Sequence, residues 1–326
     1  MGDVATRHVA TDVADALHVA RVERVTGETV EEPATVDSDP DRRARRARKA
    51  AARGASAPGG PIAMPTHKIA RPPRPRQRVA VIIPAKDESR RIAATVRAAR
   101  AIPQVDLVLV VDDGSVDNTQ DVAREAGAVV VRHSHNRGKA AAMETGAAIV
   151  AMRDTDDRPA RLLLFVDGDL GDSAVNTAPL VPPVLERAAD LSIALLPPQP
   201  GAGGRGIVVG AARRAIASLT GWTPTQPLSG MRCLTREAFE AATPLARGWG
   251  VETGMTIDLL RQGFVAVEVP CDLRHRPSGT DLRGQLHRAA QYRDVMLAVS
   301  NRRLRGAAAA VREKVAPPNP RPRTHR

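Results

Sequence analysis

Two aspartates, Asp167 and Asp169, close the apolar run Leu162-Leu-Leu-Phe-Val166, with only Gly168 between them. In an extended segment, residues two apart point to the same side. Two hard oxygen donors at the mouth of a buried strand suit Mg²⁺ or Mn²⁺, ions that commonly bridge to a diphosphate. An acidic triplet by itself fits a solvated turn equally well, so the weight rests on its companions. Lys86-Asp-Glu88 follows one apolar run and Asp112-Asp-Gly-Ser115 follows another. Lys139 comes directly after Gly138 at the start of a helical pattern. A cation there, beside free backbone amides, suits a diphosphate.

These residues need elements to hold them. Residues 79–83 and 105–111 are continuous apolar runs, the pattern of buried strands. Residues 128–131 and 162–166 give two more. Helical spacing marks 88–101, 117–126 and 139–152, with Asp117 or Asn118 as a cap for the second. Alternating units of this length predict an α/β fold, a mostly parallel sheet with helices on both faces. Ligands gather at the carboxyl ends of such strands, and every cluster named above falls at one. Further on, 191–196 and 264–269 read as strands, and 207–219, 236–242 and 251–262 as helices. Residues 282–302 read as a long amphipathic helix with Leu286, Ala289, Tyr292 and Met296 on one side.

Composition sets bounds. The chain has 326 residues, 43% hydrophobic and 26% charged, a globular balance. Aromatics are only 2%, so readers that stack nucleic-acid bases are excluded and no nucleic-acid partner is expected. The net charge is +12, concentrated in 42–49 and from Arg302 onward. Solvated tails explain it, and so does peripheral contact with an anionic membrane face. Cys233 and Cys271 show no disulfide or zinc spacing. No apolar signal core opens the sequence and no run reaches transmembrane length, so a cytoplasmic protein is the expectation. Residues 1–77 read as a disordered basic, Pro-rich region, 78–303 as the folded domain and 304–326 as a disordered basic tail.

Four motifs occur in order: Pro84-Ala-Lys-Asp-Glu88, Asp112-Asp-Gly-Ser-Val-Asp-Asn-Thr119, Asn136-Arg-Gly-Lys139 and Asp167-Gly-Asp169. Together they resemble the nucleotide-binding half of GT-A-fold glycosyltransferases of the family 2 type. Gln226-Pro-Leu-Ser-Gly230, Gly248-Trp-Gly-Val-Glu-Thr-Gly254 and Arg274-His-Arg276 resemble the glucosyl-3-phosphoglycerate synthase branch. The resemblance divides the domain into a nucleotide-sugar half, 78–172, and an acceptor half, 173–303.

The resemblance implies roles. Pro84, Ala85, Glu88, Asp112, Ser115, Lys139, Asp167 and Gly168 would contact a nucleotide sugar, with UDP-glucose the model donor. Asp169 and His275 would hold Mg²⁺ or Mn²⁺, with His133 and His135 as rival imidazoles. Glu252 would face the transferred sugar as a catalytic carboxylate, beside Asp169. Arg205, Ser229 and Gly230 would line the acceptor side. Two departures stand out. Ile207 and Pro277 occupy positions where that branch has a hydroxyl and an amide, so 3-phosphoglycerate is disfavoured. Another phosphorylated metabolite or a lipid phosphate stays open, as does a homodimer through the basic helix. Two rival readings remain. A nucleotidyltransferase would carry a Gly-rich loop after the first strand, which Pro84-Ala-Lys-Asp-Glu88 lacks. The other rival is a non-catalytic nucleotide-sugar-binding protein at a membrane surface.

Overall fold

The computed structural model describes residues 77–197, 206–273 and 282–315, with side chains in the last segment described for 289–305. The first half alternates strictly: β1 (Val79–Ala85), α1 (Ile92–Arg100), β2 (Val105–Asp112), α2 (Thr119–Glu125), β3 (Val129–Arg132), α3 (Lys139–Met152) and β4 (Leu162–Phe165). A 3₁₀ segment (Gly171–Leu180) runs into α4 (Val181–Leu185) and β5 (Leu191–Leu195). Then come α5 (Ile207–Thr220), β6 (Arg232–Leu234), α6 (Arg236–Ala242) and a 3₁₀ turn (Gly248–Gly250). The chain continues through α7 (Val251–Arg261) and β7 (Ala266–Pro270) to α8 (Leu282–Val315).

The seven strands form one sheet in the order β3-β2-β1-β4-β6-β5-β7. β1 to β4 are parallel, and β6 runs antiparallel to both of its neighbours, β4 and β5. β7 is parallel to β5. This is the expected mostly parallel sheet flanked by helices. It follows from strands buried on both sides: Val79, Val81 and Ile83 pack on one face, Ala80 and Ile82 on the other. α1, α2, α4 and the 3₁₀ segment cover the first face; α3, α5, α6, α7 and α8 cover the second. With so few aromatics, small aliphatics fill both layers, and Phe165 and Phe239 make a stacked pair with centroids 5.4 Å apart.

Three elements differ from expectation. β6 was not foreseen, because Arg232-Cys-Leu234 is short and opens on an arginine. Residues 171–185 were not read as helical, because Pro179, Pro182 and Pro183 interrupt the pattern. The buried face of α8 is Val295, Ala298, Val299 and Arg302, whereas Ala289 and Tyr292 are exposed and Met296 is half-buried. Periodicity chose the wrong side because it treats an arginine as polar. Arg302 is buried: it donates to Gly254 O and Ala298 O and pairs with Asp258, a residue given no role from sequence. α8 also continues to Val315, beyond the expected tail boundary at 303. Ala307 to Ala310, the best helix formers, carry it on. Among the described residues no helix is long and apolar enough to cross a membrane.

Candidate active site

The loops after β1 and β2 hold each other. Asp113 N donates to Ala85 O at 2.8 Å. Asp87 N donates to Ser115 Oγ at 2.9 Å, and Glu88 N to Thr119 Oγ1 at 2.8 Å. Val116 N returns a bond to Asp87 Oδ1 at 2.8 Å. Asp87 takes φ 57°, a left-handed backbone that aspartate tolerates better than most residues. Asp117 accepts from Ser89 N and from Thr119 N and Oγ1. Desolvation opposes its charge, but these bonds outweigh it and pull its pKa down to about 2. Gly114, at φ +73°, lets the turn lie against His135, whose carbonyl carbon would be 2.7 Å from an added Cβ.

The two aspartates that open this turn point different ways. Asp112 is fully buried; its Oδ1 accepts from Ser115 N at 2.9 Å. Its Oδ2 has no hydrogen bond among the described residues, and pairs with Arg132 Nε 3.5 Å away. Asp113 reaches the next motif. It accepts from Arg137 N at 2.8 Å, Gly138 N at 2.7 Å and His133 Nδ1 at 2.7 Å. Burial works against its charge, but these three donors hold its pKa below the ordinary carboxylate range. His133 also meets Thr145 Oγ1 at 3.0 Å, so both ring nitrogens are engaged within the fold. Asp113 thus sets the backbone from which Lys139 starts α3.

The Asp167-Gly-Asp169 loop is held from below by Thr95, which is fully buried on α1. Thr95 Oγ1 donates to Gly168 O at 2.9 Å and accepts from Gly171 N at 2.8 Å. A Cβ on Gly168 would meet Ala85 Cβ at 3.4 Å, Glu88 Cγ at 3.5 Å and Pro84 O at 3.5 Å. The first and last motifs of the nucleotide half therefore touch. Asp169 is half-buried, and its carboxylate has no hydrogen bond or ion pair among the described residues.

Lys139 is the centre of the arrangement. Its Nζ lies 2.9 Å from Asp167 Oδ1 and 3.1 Å from Glu252 Oε1. Burial disfavours its charge, yet the two carboxylates prevail and its pKa stands above that of an ordinary lysine. Gly230 closes the other side: a Cβ there would stand 2.5 Å from Lys139 Nζ and 3.0 Å from Asp167 Oδ2. Only a hydrogen at that position leaves room for the ammonium. Ser229 is buried, and its Oγ makes no hydrogen bond among the described residues.

Arg232 places this far side. It is fully buried on β6. Nε donates to Ser229 O at 2.8 Å, and NH1 donates to Glu252 O at 3.0 Å and Thr256 Oγ1 at 2.9 Å. NH2 reaches Pro227 O at 3.3 Å. Burial lowers its pKa to about 10, against the attraction of Glu252 and Glu268. Glu268 in turn accepts from Thr225 N and Gln226 N, each at 2.7 Å, and Gln226 bonds both backbone groups of Leu196. The loop 225–230 and the start of α7 are thus fixed as one piece.

The structure brings Pro84, Ala85, Glu88 and Gly168 together, and Lys139, Asp167, Glu252 and Gly230 together. Asp112 and Ser115 lie in the turn just behind. Ile207 is exposed at the start of α5. Arg205, His275 and Pro277 lie outside the described residues, and among those described no cluster of three His, Cys, Asp or Glu could hold a metal. Sequence reasoning missed Asp113, Thr95, Arg232 and Glu268. All four act on backbone groups, which leave no motif.

Residues 80–197 match the model of Glycosyl transferase family 2. Glycosyltransferase AglJ of Haloferax volcanii is 33% identical over 185 residues, covering 53% of this chain and 56% of that protein. Polyprenol monophosphomannose synthase of Mycolicibacterium smegmatis is 29% identical over 244 residues, 67% of this chain and 88% of that protein. The chain spans about half the length of the first curated relatives it matches, 56% of one and 46% of another. Glucosyl-3-phosphoglycerate synthase from Mycobacterium tuberculosis, solved with Mn²⁺, UDP and phosphoglyceric acid, superposes with a TM-score of 0.55 at 25% identity. That match covers 69% of this chain and 78% of the other. The same protein solved with Mg²⁺ and UDP gives a TM-score of 0.55 as well.

Proposed function

We propose that this chain, which carries a family 2 glycosyltransferase segment on a GT-A fold, transfers a sugar from a nucleoside-diphosphate donor to an acceptor. The observation that carries the reading is the convergence of Lys139, Asp167, Glu252 and Gly230 at the edge of the sheet where β4 ends and the antiparallel β6 begins. UDP-glucose is the first donor to try, since the solved M. tuberculosis relative is described with UDP and, in one structure, with UDP-glucose.

In transfer, the bond from the sugar's anomeric carbon to the diphosphate oxygen breaks, a bond to the acceptor oxygen forms, and the acceptor's proton is lost. The barrier is set by the charge left on the nucleoside diphosphate. Lys139 is built for that charge: it is a half-buried cation, held by two carboxylates until an anionic donor arrives. Glu252 then faces the sugar hydroxyls. Glu88 and Asp112 would meet the nucleoside, the Asp112 carboxylate being set in place by Ser115 N and by the Arg132 guanidinium.

The donor chemistry fits a hard cation in part. Asp169 offers a half-buried carboxylate without a partner among the described residues, and Asp167 stands two positions away. Asp169 and the imidazole of His275 would hold Mg²⁺ or Mn²⁺, with Asp167 contacting the ribose or reaching the ion through water. When bound, the ion supplies positive charge against the departing diphosphate. The acceptor side, Ser229, Gly230 and Arg205, would take a phosphorylated metabolite or a lipid phosphate. A cytoplasmic location is part of the same reading.

The test is a transfer or donor-hydrolysis assay with radiolabelled UDP-glucose, with and without Mn²⁺. Metal-dependent release of UDP supports the proposal. Release of pyrophosphate would identify a nucleotidyltransferase. Tight donor binding without turnover across a panel of nucleotide sugars and phosphorylated acceptors would identify a binding protein.

A further inference from the structure

The outer face of α8 has no use in the site just described. Leu297 is 55% exposed and Leu304 69% exposed. They are two helical turns apart and share the strip opposite the buried Val295, Ala298, Val299 and Arg302. The chain has one tyrosine and two tryptophans. Its tyrosine, Tyr292, is on α8 and 42% exposed. Trp249 is 41% exposed and lies beside α8, its amide donating to Asp294 Oδ2 at 3.3 Å.

The charge around them is one-signed. Between residues 289 and 305 the single acid is Asp294, and its carboxylate is engaged by Trp249 N and Arg293. Arg303 and Arg305 are exposed and make no ion pair or hydrogen bond among the described residues. Exposed leucines, a neighbouring half-exposed tryptophan and unpaired arginines form the pattern of a helix that lies on an anionic lipid surface. Leucine side chains gain nothing from a nucleic-acid backbone, and a second copy would bring the same arginines face to face.

We propose that the outer face of α8, together with Trp249, is a docking surface for an anionic membrane. The 3₁₀ turn bearing Trp249 leads directly into α7 and Glu252. Docking therefore brings the sugar-facing carboxylate close to the lipid headgroups. The role of Glu252 rests on the proposed transfer function; the docking surface does not.

The experiment is co-sedimentation of the full chain with vesicles of phosphatidylcholine alone or mixed with phosphatidylglycerol. Binding to the anionic vesicles only is expected. Leu297→Glu with Leu304→Glu should weaken it about tenfold or more, since each leucine loses its apolar burial. Arg303→Gln with Arg305→Gln should weaken it about tenfold and flatten its dependence on salt. Brominated lipid should quench tryptophan emission in the native chain and not in Trp249→Phe, because Trp222 is buried. The basic residues of 42–49 and 312–326 are intact in every variant. Unchanged binding in the leucine variant assigns the affinity to the tails and overturns the proposal. A native dimer by light scattering that the leucine variant dissociates assigns the face to a second copy and overturns it too.

Discussion

Lys139 Nζ lies 3.1 Å from Glu252 Oε1, so a lysine from the nucleotide half is paired with a carboxylate from the acceptor half. The same ammonium is 2.9 Å from Asp167, and two negative charges share one positive one. Lys139→Met leaves Asp167 and Glu252 facing each other and removes the cation meant for the diphosphate. We expect kcat/KM to fall by at least about 100-fold, the cost of one preorganised charge donor. Lys139→Arg should restore little, because a planar fork does not replace a point charge. Steady-state kinetics of both variants decides it. Less than a tenfold loss in Lys139→Met would take this pair off the reaction path.

Gly230→Ala adds one methyl group where Lys139 Nζ would be 2.5 Å away. The end of a lysine chain is flexible, so the fold adapts and the melting temperature should move by no more than about 3 °C. The ammonium, however, must leave its place between Asp167 and Glu252. Donor affinity should fall about tenfold or more, measured by calorimetric titration of UDP. Native affinity in this variant would show that the lysine moves away on binding in any case.

Arg232 bonds three carbonyls and a hydroxyl from a fully buried position. Arg232→Met strands those acceptors, with a loss of about 2–4 kcal/mol by urea unfolding. Arg232→Lys keeps a charge but serves fewer carbonyls, and should recover part of the stability. If the arginine positions Glu252, the lysine variant will lose kcat more than it raises KM. Equal changes in both would reduce Arg232 to a structural role.

Asp169→Ala should abolish turnover and leave the melting temperature within about 2 °C, since the Asp169 carboxylate has no bond to lose among the described residues. The stabilising effect of Mn²⁺ on the UDP complex should vanish with it in a thermal-shift titration. Normal activity in this variant refutes the metal assignment.

Stability in acid should report on Asp117. Its pKa is depressed from an ordinary 3.8 to about 2 in the fold, so its contribution is complete above about pH 4 and is lost as pH falls toward 2. Asp113, also depressed, acts in the same direction. Asp117→Asn should flatten the fall in urea midpoint between pH 4 and 2 and lower the midpoint at pH 7. A profile parallel to the native one would mean that the Ser89 and Thr119 bonds contribute nothing to folding.

The sequence was most legible where strands end. Val79-Ala-Val-Ile-Ile83 and Leu162-Leu-Leu-Phe-Val166 are buried on both faces, so they read as unbroken apolar runs, and the polar residues after them had to lie at the sheet's edge. That put Glu88, Asp112 and Asp167 beyond strand ends, and the helical pattern after Gly138 put Lys139 at the start of α3. β6 was invisible because three residues carry no period and the first, Arg232, is charged. The face of α8 was misread for a related reason: Arg302 is buried by its pairing with Asp258, while Tyr292 is left outside. Thr95 and Asp113 escaped because a side chain that bonds backbone can be almost any small polar residue, and nothing local distinguishes it. Gly230 was named for its motif, but the reason it must be glycine, the nearness of Lys139, is visible only in three dimensions.

β6 follows β5 in the chain but lies between β4 and β5 in the sheet. During synthesis, then, β5 leaves the ribosome before the strand that joins it to the first half exists. Until residue 234 is out, the edge of β4 has no neighbour, and an open edge strand invites pairing with other chains. A message cut short in this interval yields a nascent product with Lys139 and Asp167 but without Glu252. Such fragments are candidates for aggregation and chaperone capture.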